Sequence, residues 1–226
     1  MNILKAEVNP EFVNQKAKLF YGLKVSEIIK GISDTYNLIY ELNNFLVSKH
    51  LDRLEDLLLG NSLSGIVSEI LVKSISNNCK TLVRNGKVGG HPDLIPRNLY
   101  PNDQVLRGEE GIEIKSSKQR GGWQGHNPEK VWLMVFRYTL DDDPASTIET
   151  RKPITFVQVL CAFLDKKHWS FSGRSGNSRR TITASITEEG MDKLRRNPIY
   201  QDPSFIVAPN PELLIEYSNI ILNTGK

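Results

Sequence analysis

Two acids and a lysine set the question that this chain raises. Glu113 and Lys115 stand in GIEIKSS (111–117), a short apolar run of the sort that builds a buried strand. Side chains two positions apart on a strand share one face, so the two charges point into the same space. Upstream, with nineteen residues between it and Glu113, comes Asp93, inside HPDLIP. Carboxylates are hard oxygen ligands that suit Mg²⁺, an ion that keeps several waters and binds through one or two carboxylates plus a phosphate. A lysine beside such an ion can hold an attacking water and favour its hydroxide form. Ile114 points away into the core, while its carbonyl can complete the coordination shell. Neutralised phosphate charge, an activated water and a stabilised leaving oxygen are the requirements of phosphodiester hydrolysis.

Each part has a plainer reading. Glu113 and Lys115 alone suit an ion pair on an exposed strand face, and Pro92-Asp93 alone suits a turn. His91-Pro92-Asp93 also matches the tripeptide of J-domain co-chaperones, but that tripeptide joins two helices, whereas here Gly89-Gly90 precede it and a strand follows. Taken together the residues spell PD, a spacer of nineteen, then ExK. In this the chain resembles the PD-(D/E)XK nuclease superfamily, type II restriction endonucleases in particular, over roughly residues 62–140. The resemblance implies a restriction-endonuclease-like α/β/α sandwich and Mg²⁺-dependent, sequence-specific cleavage of double-stranded DNA. It implies Asp93, Glu113 and Lys115 as catalytic residues, with Asp93, Glu113 and the Ile114 carbonyl on the metal and products ending in 5′-phosphate and 3′-hydroxyl. Many nucleases of this kind carry a further acid on the helix before the Asp, and Glu69 is the matching candidate here. Its alternative is a solvated helix glutamate.

Two basic segments are candidates for DNA contact. SSKQRGGWQGHNP (116–128) holds Lys118, Gln119, Arg120, Trp123, Gln124, His126 and Asn127 and no acid, with glycines that let backbone approach a ligand. Arg, Lys, Gln and Asn are the side chains that read base edges in the major groove. His126 reads as a polar contact and not as a general base. FSGRSGNSRRTITASIT (171–187) places Arg174, Arg179 and Arg180 near a Gly/Ser turn, where they could meet phosphates. An ordinary surface loop and a solvated hairpin are the respective alternatives.

The elements that must position these groups follow from periodicity. Residues 25–59 repeat apolar positions at helical spacing with a break near His50, and 61–75 form a further helix capped by Asn61 or Ser62, with Ile66, Ile70 and Ser74 on one stripe. Asn85-Gly86 and Gly89-Gly90 mark turns around a short strand or hairpin. Residues 111–116 read as a strand, and 131–140 and 153–164 as strands apolar on both faces and hence central. A hairpin and a helix opened by Thr187 come next, then a proline-interrupted tail ending in PELLIEYSNIIL. The order predicts a mixed sheet covered by helices, divided into a helical N-terminal part (1–60), a catalytic core (61–165) and a C-terminal hairpin, helix and tail (166–226).

Composition fits a single globular α/β chain of 226 residues with 24% charged residues and a net charge of +3, so any nucleic-acid surface must arise from local clustering. Cys79 and Cys161 sit in no CxxC and near no histidine at ligand spacing, which argues against a zinc site or disulfide framework. Reduced thiols, no apolar run of membrane length and no signal-peptide pattern at the start suit a cytoplasmic protein, and the resemblance to restriction enzymes implies a bacterial one. A palindromic target predicts a homodimer, with helices 25–59 as its interface unless they serve as core. The rivals are a repair or junction-resolving nuclease on the same core and a non-catalytic DNA-binding module.

Overall fold

The computed structural model describes residues 3–125, 128–171 and 184–206. Helix α1 (Val25–Ser48) is long because its apolar residues recur at one helical stripe: Ile28, Ile32, Tyr36 and Ile39 are buried along it. Burying such a side chain contributes about 1.5–3 kcal/mol relative to leaving it exposed. The helix ends before His50, which adopts a left-handed φ of 59°. Buried Asn43 then folds the chain back, accepting from Leu54 N and donating to Glu55, both at 2.8 Å. A single turn, α2 (Leu54–Leu57), leads into α3 (Gly60–Asn78).

The strands follow as β1 (Leu82–Arg84), β2 (Leu94–Pro96), β3 (Ile112–Ser117), β4 (Gln124–Gly125), β5 (Val131–Thr139), β6 (Thr155–Leu164), β7 (Trp169–Phe171) and β8 (Ala184–Ile186), then helix α4 (Glu188–Arg195) and β9 (Pro198–Gln201). The central sheet has six strands in the order β1-β2-β3-β5-β6-β9. It is mixed: β3 and β5 run parallel and the other neighbours antiparallel. As expected from their apolar runs, β5 and β6 are central and buried. A second sheet of three strands, β4-β8-β7, is built from the hairpin that follows β6 together with the loop after β3.

Strand periodicity sorts the two faces. Ile112, Ile114, Met134, Phe136 and Tyr138 point to the side covered by α1 and α3 and form the larger core. Leu133, Val135, Leu160 and Ala162 point to the other side, under Met191 and Leu194 of α4 and Trp169, Ala184 and Ile186 of the small sheet. Thr187 caps α4 through its hydroxyl, which accepts from Gly190 N at 3.3 Å, as its position before two acids predicts. The result is a mixed α/β sandwich with helices on both faces.

The buried stripe of the N-terminal helix belongs to the same core as α3 and the sheet. One expectation is corrected. Within α3 the buried stripe is Leu63, Val67, Leu71 and Ile75, while Ile66 is exposed, and the helix starts at Gly60 with Leu59 at the N-cap and no side-chain cap. No helix among the described residues is long and apolar enough to cross a membrane. The C-terminal segment PELLIEYSNIIL lies outside the described residues.

Candidate functional site

Strand β2 pairs with β3 through Leu94 and Ile112 and then ends, whereas β3 continues along β5 to Ser117. Two antiparallel strands that pair at Leu94–Ile112 set the preceding residue, Asp93, opposite the following one, Glu113. The spacer of nineteen residues is thereby closed into direct juxtaposition. Beyond that point the outer edge of β3 has no strand partner, and its N–H groups still need acceptors. Asp93 Oδ2 accepts from Ile114 N at 2.8 Å and Ser68 Oγ of α3 accepts from Ser116 N at 3.0 Å. The N–H and C=O of one strand residue leave on the same side, so the Ile114 carbonyl also faces the Asp93 edge. Glu113, Lys115 and Ser117 occupy the opposite face from Ile112 and Ile114 and are half-buried.

The loop that delivers Asp93 is held from beneath by Asn85, which is buried. Its amide donates to Pro92 O at 3.0 Å and Val105 O at 2.8 Å, and its Oδ1 accepts from Lys87 N and Val105 N, both at 3.1 Å. The cis peptide His91-Pro92 lies in this loop. Close packing here demands glycine: a Cβ on Gly111, at φ 141°, would sit 2.3 Å from Leu94 O.

His91 joins the acids. Its Nδ1 lies 2.9 Å from Glu113 Oε2 and its Nε2 lies 3.5 Å from Glu129 Oε2. Burial pushes Asp93 up to about 7, aided by the Glu113 charge and opposed by the Ile114 N–H, Lys115 and His91. Burial also raises Glu113, but the His91 hydrogen bond and charge, with Lys115, reverse this and hold its carboxyl below the usual range. Burial lowers His91, yet Glu113, Glu129 and Asp93 more than offset it and raise its pKa. The two acids therefore share their protons unequally: Glu113 keeps its charge and Asp93 takes the proton first.

Lys115 opens onto a groove of about 660 Å³ between α3 and the loop after β3, lined by Ser64, Gly65 and Ser68 on one side and Lys118, Gln119 and Gln124 on the other. Four of the expected DNA-contact residues, Lys118, Gln119, Trp123 and Gln124, thus line one surface beside Lys115. Trp123 is 3% exposed; it packs in the second core and donates its indole N–H to Gln119 O at 3.3 Å, so it supports the loop from below. Arg120 stands on the same loop, exposed. His126, Asn127, Arg174, Arg179 and Arg180 lie outside the described residues. Glu69 is 64% exposed and pairs with Arg84 at 2.5 Å, not with Asp93 or Glu113.

His91 and Glu129 are site residues that sequence reasoning missed. His91 adjoins Pro92-Asp93 and could have been suspected from that alone; Glu129 precedes β5 and carries no signal. Among the described residues no group of three or more His, Cys, Asp or Glu side chains is arranged to hold a metal ion. Any ion at this place would rest on Asp93, Glu113 and backbone. Comparison with protein-family models, with curated proteins and with solved structures finds no match to this chain.

Proposed function

We propose that the chain is a Mg²⁺-dependent endonuclease of the PD-(D/E)XK type that cuts double-stranded DNA at specific sequences, as type II restriction enzymes do, leaving 5′-phosphate and 3′-hydroxyl ends. The observation that carries the reading is the convergence of Asp93 and Glu113 at the point where β2 leaves β3, with Lys115 on the same face as Glu113 beside an open groove.

The residues fit a hard divalent cation. Burial raises Asp93 to about 7, and the Glu113 carboxylate beside it adds to the rise. A cation between them supplies the missing countercharge, and two carboxylates, one carbonyl and water make a usual Mg²⁺ environment. Asp93, Glu113 and the Ile114 carbonyl would hold it. When bound, such an ion neutralises phosphate charge as a Lewis acid. The chain's own residues do the rest. The Ile114 N–H fixes Asp93 by one oxygen and leaves the other free. His91 orients Glu113 through Nδ1. Lys115 would hold a water beside the phosphate and stabilise the hydroxide left when that water gives its proton to solvent.

Cutting both strands of a palindrome takes two such centres, so the reading includes a homodimer. Leu38, Leu42 and Phe45 form an exposed apolar stripe on α1 (44%, 38% and 60% exposed) that a second copy would cover. The test is incubation with long mixed-sequence DNA in Mg²⁺ and in EDTA. Discrete fragments in Mg²⁺ alone support the reading. A smear points to a repair-type or nonspecific nuclease, and intact DNA to a binding module.

A further inference from the structure

On the second face of the sheet, two residues beyond Lys115, an apolar surface gives way to a polar row. Ser117 of β3 pairs with Arg137 of β5, Arg137 with Gln158 of β6, and Gln158 with Gln201 of β9. The two glutamines satisfy each other, with Gln158 Nε2 donating to Gln201 Oε1 at 2.6 Å. Arg137 is not satisfied. It is 3% exposed, and no carboxylate among the described residues pairs with it. Its Nη1 donates to Phe205 O at 3.3 Å, its Nε is buried without a partner, and its guanidinium sits 5.6 Å from the Phe205 ring centroid. A guanidinium can donate five hydrogen bonds, and a buried cation is costly unless paired. Moreover, the chain leads a second cation towards this end of β3 and not an anion: Arg120 follows three residues after Ser117, which pairs with Arg137, and its charge lowers the Arg137 pKa below what burial already imposes.

The register of β3 against β5 thus puts two arginines at one end of β3, Arg137 opposite Ser117 and Arg120 three residues beyond it, and the buried one keeps an unpartnered Nε. Arginine's planar fork matches phosphate oxygens. We propose that Arg137 and Arg120 together hold a phosphate group beside the Asp93–Glu113–Lys115 centre, namely the backbone phosphodiester next to the one at that centre. Lys115 pairs with Val135, so Arg137 lies one strand across and two residues along from it, about 8 Å between Cα atoms at ordinary sheet spacings. That is within reach of the next phosphate on one strand. The identity of the phosphate as backbone rests on the nuclease reading; the anion subsite itself does not.

The test uses the full chain in EDTA, so that no cleavage occurs. Inorganic phosphate should raise the melting temperature of the wild type, and should do so equally in Asp93→Asn. Arg120→Gln, an exposed change that leaves the fold alone, and Arg137→Lys, which keeps the charge but loses the fork, should each abolish most of that rise. A short DNA duplex should displace the phosphate, its affinity should fall about tenfold in either variant, and the salt slope of binding should drop by about 1. No phosphate effect in the wild type, or the same effect in wild type and Arg120→Gln, overturns the subsite. Phosphate binding that a duplex does not displace overturns the backbone assignment. Absence of cleavage by the wild type in Mg²⁺, with the phosphate results intact, would overturn the nuclease reading and leave the subsite standing.

Discussion

Asp93 Oδ2 accepts a hydrogen bond from Ile114 N at 2.8 Å, in the place where a β2 residue would otherwise continue the ladder along β3. One side chain thus does two things. It terminates a strand pair without leaving an N–H unsatisfied, and it stands a carboxylate against Glu113. The charge of that carboxylate, not its hydrogen bond, is what the fold tolerates poorly.

Asp93→Asn should separate these roles. Asparagine keeps an acceptor for Ile114 N and removes the charge. Asp93 is raised to about 7 in the fold from about 4 in an unfolded chain. The folded state therefore binds more protons between those values, so the wild type loses stability as pH rises through this window. In metal-free protein the variant should be more stable than wild type above pH 7, by about 1–3 kcal/mol. The difference should vanish towards pH 4. Urea midpoints at pH 4, 6 and 8 measure it, and a variant less stable at pH 8 would contradict the charge argument. Cleavage in Mg²⁺ should be lost.

A thiol probe tests the larger core. Cys161 lies in β6, and burial pushes its thiol up to about 12. Cys79 is buried as well, with Sγ 3.4 Å from Thr81 Oγ1. Burial keeps the reagent from both thiols, and for Cys161 it also withholds the reactive thiolate, so neither should react with an aromatic disulfide reagent in the folded protein near neutral pH, and both should react in denaturant. The sign of the pH effect follows. An unfolded thiol ionises near 9 while Cys161 does not, so this residue adds a loss of stability as pH rises from about 9 to 12. Rapid labelling of native protein at pH 8 would place Cys161 outside the core.

Much of this arrangement is legible in the sequence because it rests on local pattern. The apolar runs of β5 and β6 predict their central places, and the alternation across Ile112–Ser117 predicts that Glu113 and Lys115 share a face. The stripe of α3 was misread for a physical reason. Ile66 and Ile70 neighbour Val67 and Leu71 around the helix, so periodicity offers two adjacent stripes. The choice between them is made in space, where Ser64 O accepts from Ser116 Oγ at 2.6 Å and Ser68 Oγ accepts from Ser116 N. Trp123, in a glycine-rich loop, has the composition of an exposed contact, yet the cavity under the loop takes its ring. His91 meeting Glu129 is an encounter across the fold that no local pattern encodes.

Asn85 should matter more than its distance from the chemistry suggests. It is buried and makes four hydrogen bonds that tie Pro92, Lys87 and Val105 together. Asn85→Ala leaves buried backbone donors and acceptors unpaired, each at a cost of about 1–3 kcal/mol when no water reaches it. A loss of about 2–4 kcal/mol in unfolding free energy is expected. Because the same loop carries His91 and Asp93, activity should fall beyond what the unfolded fraction explains. Chemical denaturation paired with cleavage assays on the folded fraction measures both. A stability change under 0.5 kcal/mol would mean that the loop holds itself.

Lys115→Met tests the chemistry most directly. Lys115 makes no ion pair within bonding distance among the described residues, but its charge helps keep both Asp93 and Glu113 ionised. Its neighbour across the parallel ladder is Val135, against which a methionine stem packs as well as a lysine stem. The packing change should cost little, so the stability lost in metal-free protein should be about 1 kcal/mol, from the weaker countercharge on the two acids. The rate of a single turnover should fall by at least about 100-fold, the scale of losing one positioned electrostatic group. DNA binding in Ca²⁺ should weaken far less. Raising Mg²⁺ should not restore the rate, because the lost group acts on water and phosphate and not on the metal's affinity. Lys115→Arg keeps the charge but spreads it over a planar fork that cannot hold a water as an ammonium does, so it should recover binding and little of the rate. Full rescue of Lys115→Met by Mg²⁺ would assign Lys115 to metal affinity alone. Wild-type rates in both variants would remove it from the centre and leave Asp93 and Glu113 as a site with some other partner.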